Sequence, residues 1–186
     1  MLYNITYNDK SKTAYISQPE LSNCLKKIPE DVKIIYTIYG FNEKINNLPQ
    51  NITKIFMEFN FNQKIDNLPK NLTQLTLFSL CFNESINCLP KSLTSLAINW
   101  CINSDIKLPK NVNYLLLTCN NNLINNIPEH IEKLNIYFEN DHISNKNVEN
   151  LPLTIKEIII KDKEYKKYIK IPFGTILTIK IDDHNK

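Results

Sequence analysis

A Leu/Ile-Pro pair recurs about every twenty residues in this chain, and in the first seven units aliphatic residues follow three and six positions after the proline. Successive prolines of the repeat are 20, 20, 21, 19, 19, 24 and 20 residues apart. A near-constant period of this length is typical of a solenoid, in which each repeat stacks on its neighbours. The prolines that mark the unit are Pro29, Pro49, Pro69, Pro90, Pro109, Pro128, Pro152 and Pro172.

After each proline the sequence alternates with period two, as in residues 75–77 and 96–98. Such alternation predicts a short strand with one buried face. The proline precedes the strand, where its missing N–H removes no ladder hydrogen bond. Twenty residues that include a strand and two turns leave room only for extended or single-turn 3₁₀ structure on the opposite side. The predicted fold is therefore mostly β, with parallel strands from successive repeats.

One such coil buries too little apolar surface to fold alone, so stability has to come from stacking, and the two ends need caps. We expect one domain over residues 1–186, with seven repeats over residues 28–170. Residues 1–27 break the pattern but contain two β-prone stretches, so they are the predicted N-terminal cap. Residues 171–186 are the predicted terminal coil and tail. The eighth unit, which begins at Ile171, is expected to carry one extra residue.

An asparagine follows the inward-facing Phe or Ile in the second half of several units, as in FNEKI and FNQKI. An amide at such a bend can bond backbone groups of its own coil and of the next, and Asn tolerates left-handed φ. The predicted role of this column is structural, with Asn replacing glycine at the bend. Its members are Asn42, Asn62, Asn83 and Asn103.

Five cysteines, an odd number without CxxC spacing, predict reduced thiols in a reducing compartment. Cys81, Cys101 and Cys119 lie twelve, eleven and ten residues after their prolines, so stacking could bring them near one another. Two interpretations stay open, a metal or redox cluster and small thiols that fill the bend interior. With no chelating pair and no catalytic motif, we assign no metal ligand, no cofactor and no catalytic residue.

The net charge of +3 comes from lysines spread along the chain, which predicts no nucleic-acid partner. The one dense cluster, KDKEYKKYIK at residues 161–170, is interrupted by acidic residues and predicts a solvated coil face. No apolar run approaches the ~20 residues that a membrane-spanning helix needs, and the first residues do not resemble a leader. The expected location is the cytoplasm.

The unit LPKNLTQLTLFSLCFNESI, which begins at Leu68, resembles the FNIP repeat, a short relative of the leucine-rich repeat in social amoebae and giant viruses of amoebae. The resemblance covers about residues 28–180 and is most specific from Pro29 to Pro90. It implies a curved, right-handed solenoid with a concave parallel sheet, used for protein–protein interaction, in the host cytoplasm if the protein is viral. Such repeats are often joined to an F-box, which residues 1–27 do not resemble.

The exposed side of the predicted sheet, which we call the concave face, is the candidate functional surface. Residues five, seven and nine positions after each proline should lie there. Large apolar groups at such positions are typical of interface anchors. Two alternatives stay open: β-propensity alone also favours such residues, or a terminal segment covers the concave side. The predicted anchors are Tyr36, Phe56, Phe78, Tyr114, Leu116 and Tyr137.

These patterns predict a non-enzymatic interaction module that binds a host or viral protein on its concave face. Two alternatives stay open at this point. One is a structural protein that self-associates through its coil ends. The other is a substrate-recruiting subunit of a ubiquitin ligase whose F-box is supplied elsewhere.

Overall fold

The computed structural model describes residues 5–17, 28–38, 40–45, 48–79, 81–98, 107–138 and 146–180, apart from the side chains of residues 58 and 59. These residues form one ten-stranded sheet in which the strands follow one another in chain order. The strands are β1 (Ile5–Asn8), β2 (Thr13–Ile16), β3 (Ile34–Thr37), β4 (Lys54–Phe59), β5 (Gln74–Ser79), β6 (Ser95–Ile98), β7 (Tyr114–Thr118), β8 (Lys133–Tyr137), β9 (Glu157–Ile160) and β10 (Ile176–Ile179).

Every strand from β2 to β9 pairs in parallel with the next, and one strand per repeat contributes to the sheet. The predicted mostly-β solenoid with parallel strands is confirmed. Outside the sheet the described part of the coils carries two 3₁₀ helices: Asn122–Asn125 is about a single turn, as expected, whereas Lys163–Tyr168 has six residues and is longer than the single turn expected. No described helix is long and apolar enough to cross a membrane.

The LPxNLT motif has a physical explanation that the sequence alone did not supply. The N–H three residues after the proline bonds the proline carbonyl, as in Leu72 to Pro69 at 3.1 Å. The motif Asn then reaches back one coil: Asn71 Nδ2 donates to the carbonyl of Gln50 at 3.1 Å. The motif Thr does the same, since Thr73 Oγ1 donates to the carbonyl of Thr53 at 3.0 Å. These side chains therefore bond a coil that carries the motif to the preceding coil at its turn.

The core is a set of columns, each made of equivalent side chains from successive coils. One column consists of Phe41, Phe61 and Phe82, which stack with ring centroids 6.2 and 6.1 Å apart. All three are fully buried, as is the inward strand residue Leu96. These are the positions that the FN motif and the strand alternation predicted for the interior.

The asparagine column after the phenylalanines is structural, as predicted. Asn42 Oδ1 accepts from the backbone N–H of Asn62 at 2.8 Å, and Asn62 Oδ1 accepts from that of Asn83 at 3.0 Å. The expected left-handed φ is wrong, because the one non-glycine residue with positive φ in the described chain is Lys12. These asparagines thus link coils through their side chains and do not replace glycine. Asn103 lies outside the described residues.

The N-terminal segment begins the sheet with a hairpin, since β1 pairs antiparallel with β2. In the hairpin turn Lys12 adopts φ 51°. The Lys12 Nζ lies 2.6 Å from Asp9 Oδ1 and 2.7 Å from Asp31 Oδ2. The hydrogen bonds that Lys12 donates to these carboxylates, first that to Asp31 and then that to Asp9, raise the pKa of Lys12. Tyr7 also donates to Asp31 at 2.7 Å, so this cluster joins the hairpin to the first proline turn.

The last coil differs from the expectation. Ile176 of β10 pairs with Glu157 of β9, although Ile176 is four residues after its proline and Glu157 is five. The unit therefore has one residue fewer before its strand, and the expected extra residue is wrong. Gly174, with φ +81°, makes the shorter turn, a conformation that other residues rarely adopt.

Candidate interaction surface

The strand registers place the predicted anchors on one face of the sheet. Tyr36 pairs with Phe56, Leu116 with Asn135, and the inward residues alternate with them along each strand. Of the six anchors, Tyr137 is 45% exposed and the others are half-buried. The described part of the N-terminal segment pairs along the sheet edge. Of the polar residues beside Phe56 on β4, Lys54 is exposed, and the Glu58 side chain lies outside the described residues.

The rings of three neighbouring strands form a stack on the concave face. Tyr15 and Tyr36 lie 5.3 Å apart between centroids, and Tyr36 and Phe56 lie 4.3 Å apart with an interplanar angle of 5°. Because these rings cover one another's faces, they present mainly their edges to solvent. Sequence reasoning missed Tyr15 because no proline precedes β2, although the alternation of residues 13–16 could have revealed it.

On the two strands after β4, the column that contains Phe56 continues with two small residues, Thr76 and Ala97. Each is only 6% exposed, although both belong to the concave face. Leu116 follows on the next strand. Two small residues therefore lie between two large ones, and Phe56 and Leu116 are three strand steps apart, about 14 Å. We call the surface over Thr76 and Ala97 the notch. Two large apolar side chains, Phe56 and Leu116, flank its two small ones.

The C-terminal half of the face is more polar. Asn135 Nδ2 donates to the Tyr114 hydroxyl at 3.2 Å. Lys133 Nζ lies 2.7 Å from Glu157, whose carboxylate also accepts from Thr178 Oγ1 at 2.8 Å. These contacts hold the anchor Tyr114 and its neighbours in place beside the notch.

The hydrogen bond from Lys133, and then that from Thr178, holds the pKa of the Glu157 carboxyl below its ordinary value. Because the folded pKa is depressed, this stabilisation is present above the unfolded pKa of about 4.3 and is lost as pH falls through the folded pKa. We expect Lys133→Gln to raise the pKa of Glu157 in an NMR titration. Lys54→Gln, an exposed lysine in the same column, should leave it unchanged, and equal shifts from both variants would refute the pairing.

A second apolar surface lies at the C-terminal end of the solenoid and was not predicted. Leu153 is 82% exposed and Phe173 fully exposed, and with Ile176 they line a groove of about 580 Å³. Glu129, Glu132 and Lys156 contribute its polar walls. The sequence signal was present, because the residue after the proline is polar in the first six units and apolar in the last two.

The cysteines do not converge in the described chain. Cys119 is buried, as the space-filling interpretation expected, but Cys81 and Cys88 are exposed, so that interpretation is wrong for Cys81. Cys24 and Cys101 lie outside the described residues. Within the described ranges no group of three or more His, Cys, Asp or Glu side chains is placed to hold a metal ion.

The structure is a β-solenoid of the leucine-rich-repeat type. It has one parallel strand per twenty-residue coil, proline turns held by asparagine side chains and a column of phenylalanines. Within it, residues 61–101 match the FNIP repeat family. Among proteins with curated descriptions, none matches this sequence.

The fold is similar to the solved structure of CroV588 from the giant virus CroV, described as a novel circular LRR protein structure. The two chains are 19% identical, with a TM-score of 0.61 over 95% of this chain. This chain matches 31% of the length of CroV588, so the likeness concerns the fold of about a third of that protein.

Proposed function

We propose that this protein is a non-enzymatic interaction module that binds a partner protein on its concave face. The observation that carries the proposal is the aromatic stack of Tyr15, Tyr36 and Phe56, which ends at the notch over Thr76 and Ala97. Repeat solenoids of this class serve as scaffolds for protein interactions, which agrees with such a role. The proposed setting is the cytoplasm, where an exposed thiol such as that of Cys88 stays reduced.

The ring geometry favours a protein over a carbohydrate. Sugars pack against exposed aromatic faces, whereas the stacked rings here offer edges at centroid spacings of 5.3 and 4.3 Å. Ring edges beside the notch suit the apolar side chains of a polypeptide. The proposed anchors are Tyr36, Phe56, Phe78, Tyr114, Leu116 and Tyr137, and a partner side chain would occupy the notch.

The test compares three variants in affinity capture from lysate, followed by titration of the captured partner. Phe56→Ala with Tyr114→Ala should weaken binding by about tenfold or more, as truncation of interface anchors commonly does. Ala97→Trp should do the same by filling the notch, although it removes no contact. Leu153→Ala with Phe173→Ala, two apolar truncations away from this face, should retain the partner.

The far-UV spectrum and melting temperature of each variant must stay near those of the wild type for the comparison to count. If the folded Phe56/Tyr114 and Ala97→Trp variants keep every partner, the proposal is wrong. Loss of the partner in the Leu153/Phe173 variant alone would move the binding surface to the C-terminal groove.

A further inference from the structure

The strongest apolar exposure in the described chain is concentrated in the last two coils. In the first six repeats the residue after the proline is polar and exposed, whereas Leu153 and Phe173 occupy this position in the last two. Ile176 of β10 is 66% exposed on the concave side. Soluble solenoids usually cover their last coil with a polar cap. The six polar residues are Glu30, Gln50, Lys70, Lys91, Lys110 and Glu129.

The inward side of β10 is also incompletely covered. Leu177 and Ile179 pair with Ile158 and Ile160 of β9, so they belong to core columns. Ile158 and Ile160 are fully buried, but Leu177 is only half-buried and Ile179 is 38% exposed. Another strand laid against β10 would cover both side chains.

The backbone of β10 offers a free edge for such a strand. The Ile176 N–H donates to Lys156 at 2.9 Å and the Lys180 N–H donates to Ile160 at 2.8 Å, so both point toward β9. Successive backbone groups of a strand point to opposite sides, and those of Leu177 and Ile179 therefore face away from β9. Among residues 5–180, as far as they are described, no strand pairs with that side.

A second copy of this chain has two strand edges that could pair with the free edge of β10. One is its β1 and the other is its β10. The concave-side residues of β1, Thr6 and Asn8, are exposed and polar, and Tyr7 on its inward side is bound to Asp31. The β1 edge thus offers little apolar surface to cover Ile176 or Ile179. A second β10 offers the same apolar residues in return.

We propose that this protein forms a two-fold symmetric dimer in which β10 pairs antiparallel with β10 of a second copy and continues the sheet from one chain into the other. A two-fold axis makes the paired edges antiparallel and self-complementary. The proposal uses the coil end and is independent of partner binding on the concave face.

Charge complementarity agrees with the antiparallel arrangement. Antiparallel pairing sets Lys180 of one copy beside the start of β10 in the other, where the groove opens. In the groove walls Lys156 is already paired with Glu132 at 2.7 Å, so the net charge of −1 comes from Glu129. Lys180 is exposed and forms no ion pair within the described chain, so it can complement that charge.

Sedimentation equilibrium of the purified chain, from low micromolar to millimolar concentration, tests the proposal. We expect a monomer–dimer equilibrium with no larger species. Ile176→Lys places a positive charge close to Lys180 of the other copy. Ile179→Pro removes a backbone N–H from the free edge of β10 and leaves the hydrogen bonds between β10 and β9 in place. Each should raise the dimer dissociation constant by about tenfold or more. Ile38→Lys, at an exposed isoleucine far from β10, should leave the dimer unchanged.

Hydrogen exchange of the wild type gives a second readout that needs no variant. The amides of Leu177 and Ile179 should exchange more slowly as the concentration rises, whereas those of Ile5 and Tyr7 on the β1 edge should not change. A monomer at every concentration would overturn the proposal. So would open-ended assemblies with protected β1 amides, or a dimer that tolerates both Ile176→Lys and Ile179→Pro.

Discussion

Replacing Phe61 by alanine is expected to lower the free energy of unfolding by about 3–5 kcal/mol. The ring is fully buried and lies between Phe41 and Phe82, with centroid distances of 6.2 and 6.1 Å. Its removal leaves a cavity between coils that both neighbours hold in place, so little collapse can fill it. Urea denaturation monitored by far-UV circular dichroism measures the loss.

The matched control is Phe61→Leu, which keeps most of the apolar volume and should cost clearly less than Phe61→Ala. A double-mutant cycle with Phe82→Ala should give a coupling of about 0.5–1.5 kcal/mol, because stacked aromatic pairs add to simple burial. Strict additivity of the two alanine variants would show that the rings share no energetic interaction.

Leu96→Ala should cost about 2–5 kcal/mol, because this fully buried leucine of β6 packs between the equivalent leucines of β5 and β7. Leu153→Ala is the matched control at a leucine that is 82% exposed, and it should stay within about 0.5 kcal/mol of the wild type. Thermal and urea unfolding of both variants measure the difference. A loss below about 1 kcal/mol for Leu96→Ala would contradict the assignment of this residue to the core.

Part of the concave face could be read from the repeat itself. Once the prolines set the frame, period-two alternation placed Phe56 and Tyr114 on the opposite side of the strand from Leu96, and the structure has them there. Tyr15 escaped this reasoning because its strand belongs to the hairpin that precedes the first proline. The exposed apolar groove near Phe173 was not predicted. Its signal, an apolar residue directly after the proline, becomes meaningful only once the end of the coils is located.

For residues of the concave face, the exposed fraction of a side chain was harder to predict than the side of the sheet on which it lies. Alternation assigns Thr76 and Ala97 to the solvent side, yet each is only 6% exposed, with the larger Phe56 and Leu116 beside them in the same column. The sequence of one strand does not show which side chains lie beside it on the neighbouring coils. The notch is therefore a property of four consecutive strands together.

The sequence by itself determined the solenoid, since a fixed period with a proline turn and an alternating strand has few other ways to bury its aliphatic residues. It also determined that Asn62 is structural, because an amide at a repeated bend can bond the next coil. Only the tertiary structure decided how those amides act, which rings touch across coils, and that β10 starts one residue early. These features depend on contacts between residues about twenty positions apart, whose register and spacing are fixed only when the coils are stacked.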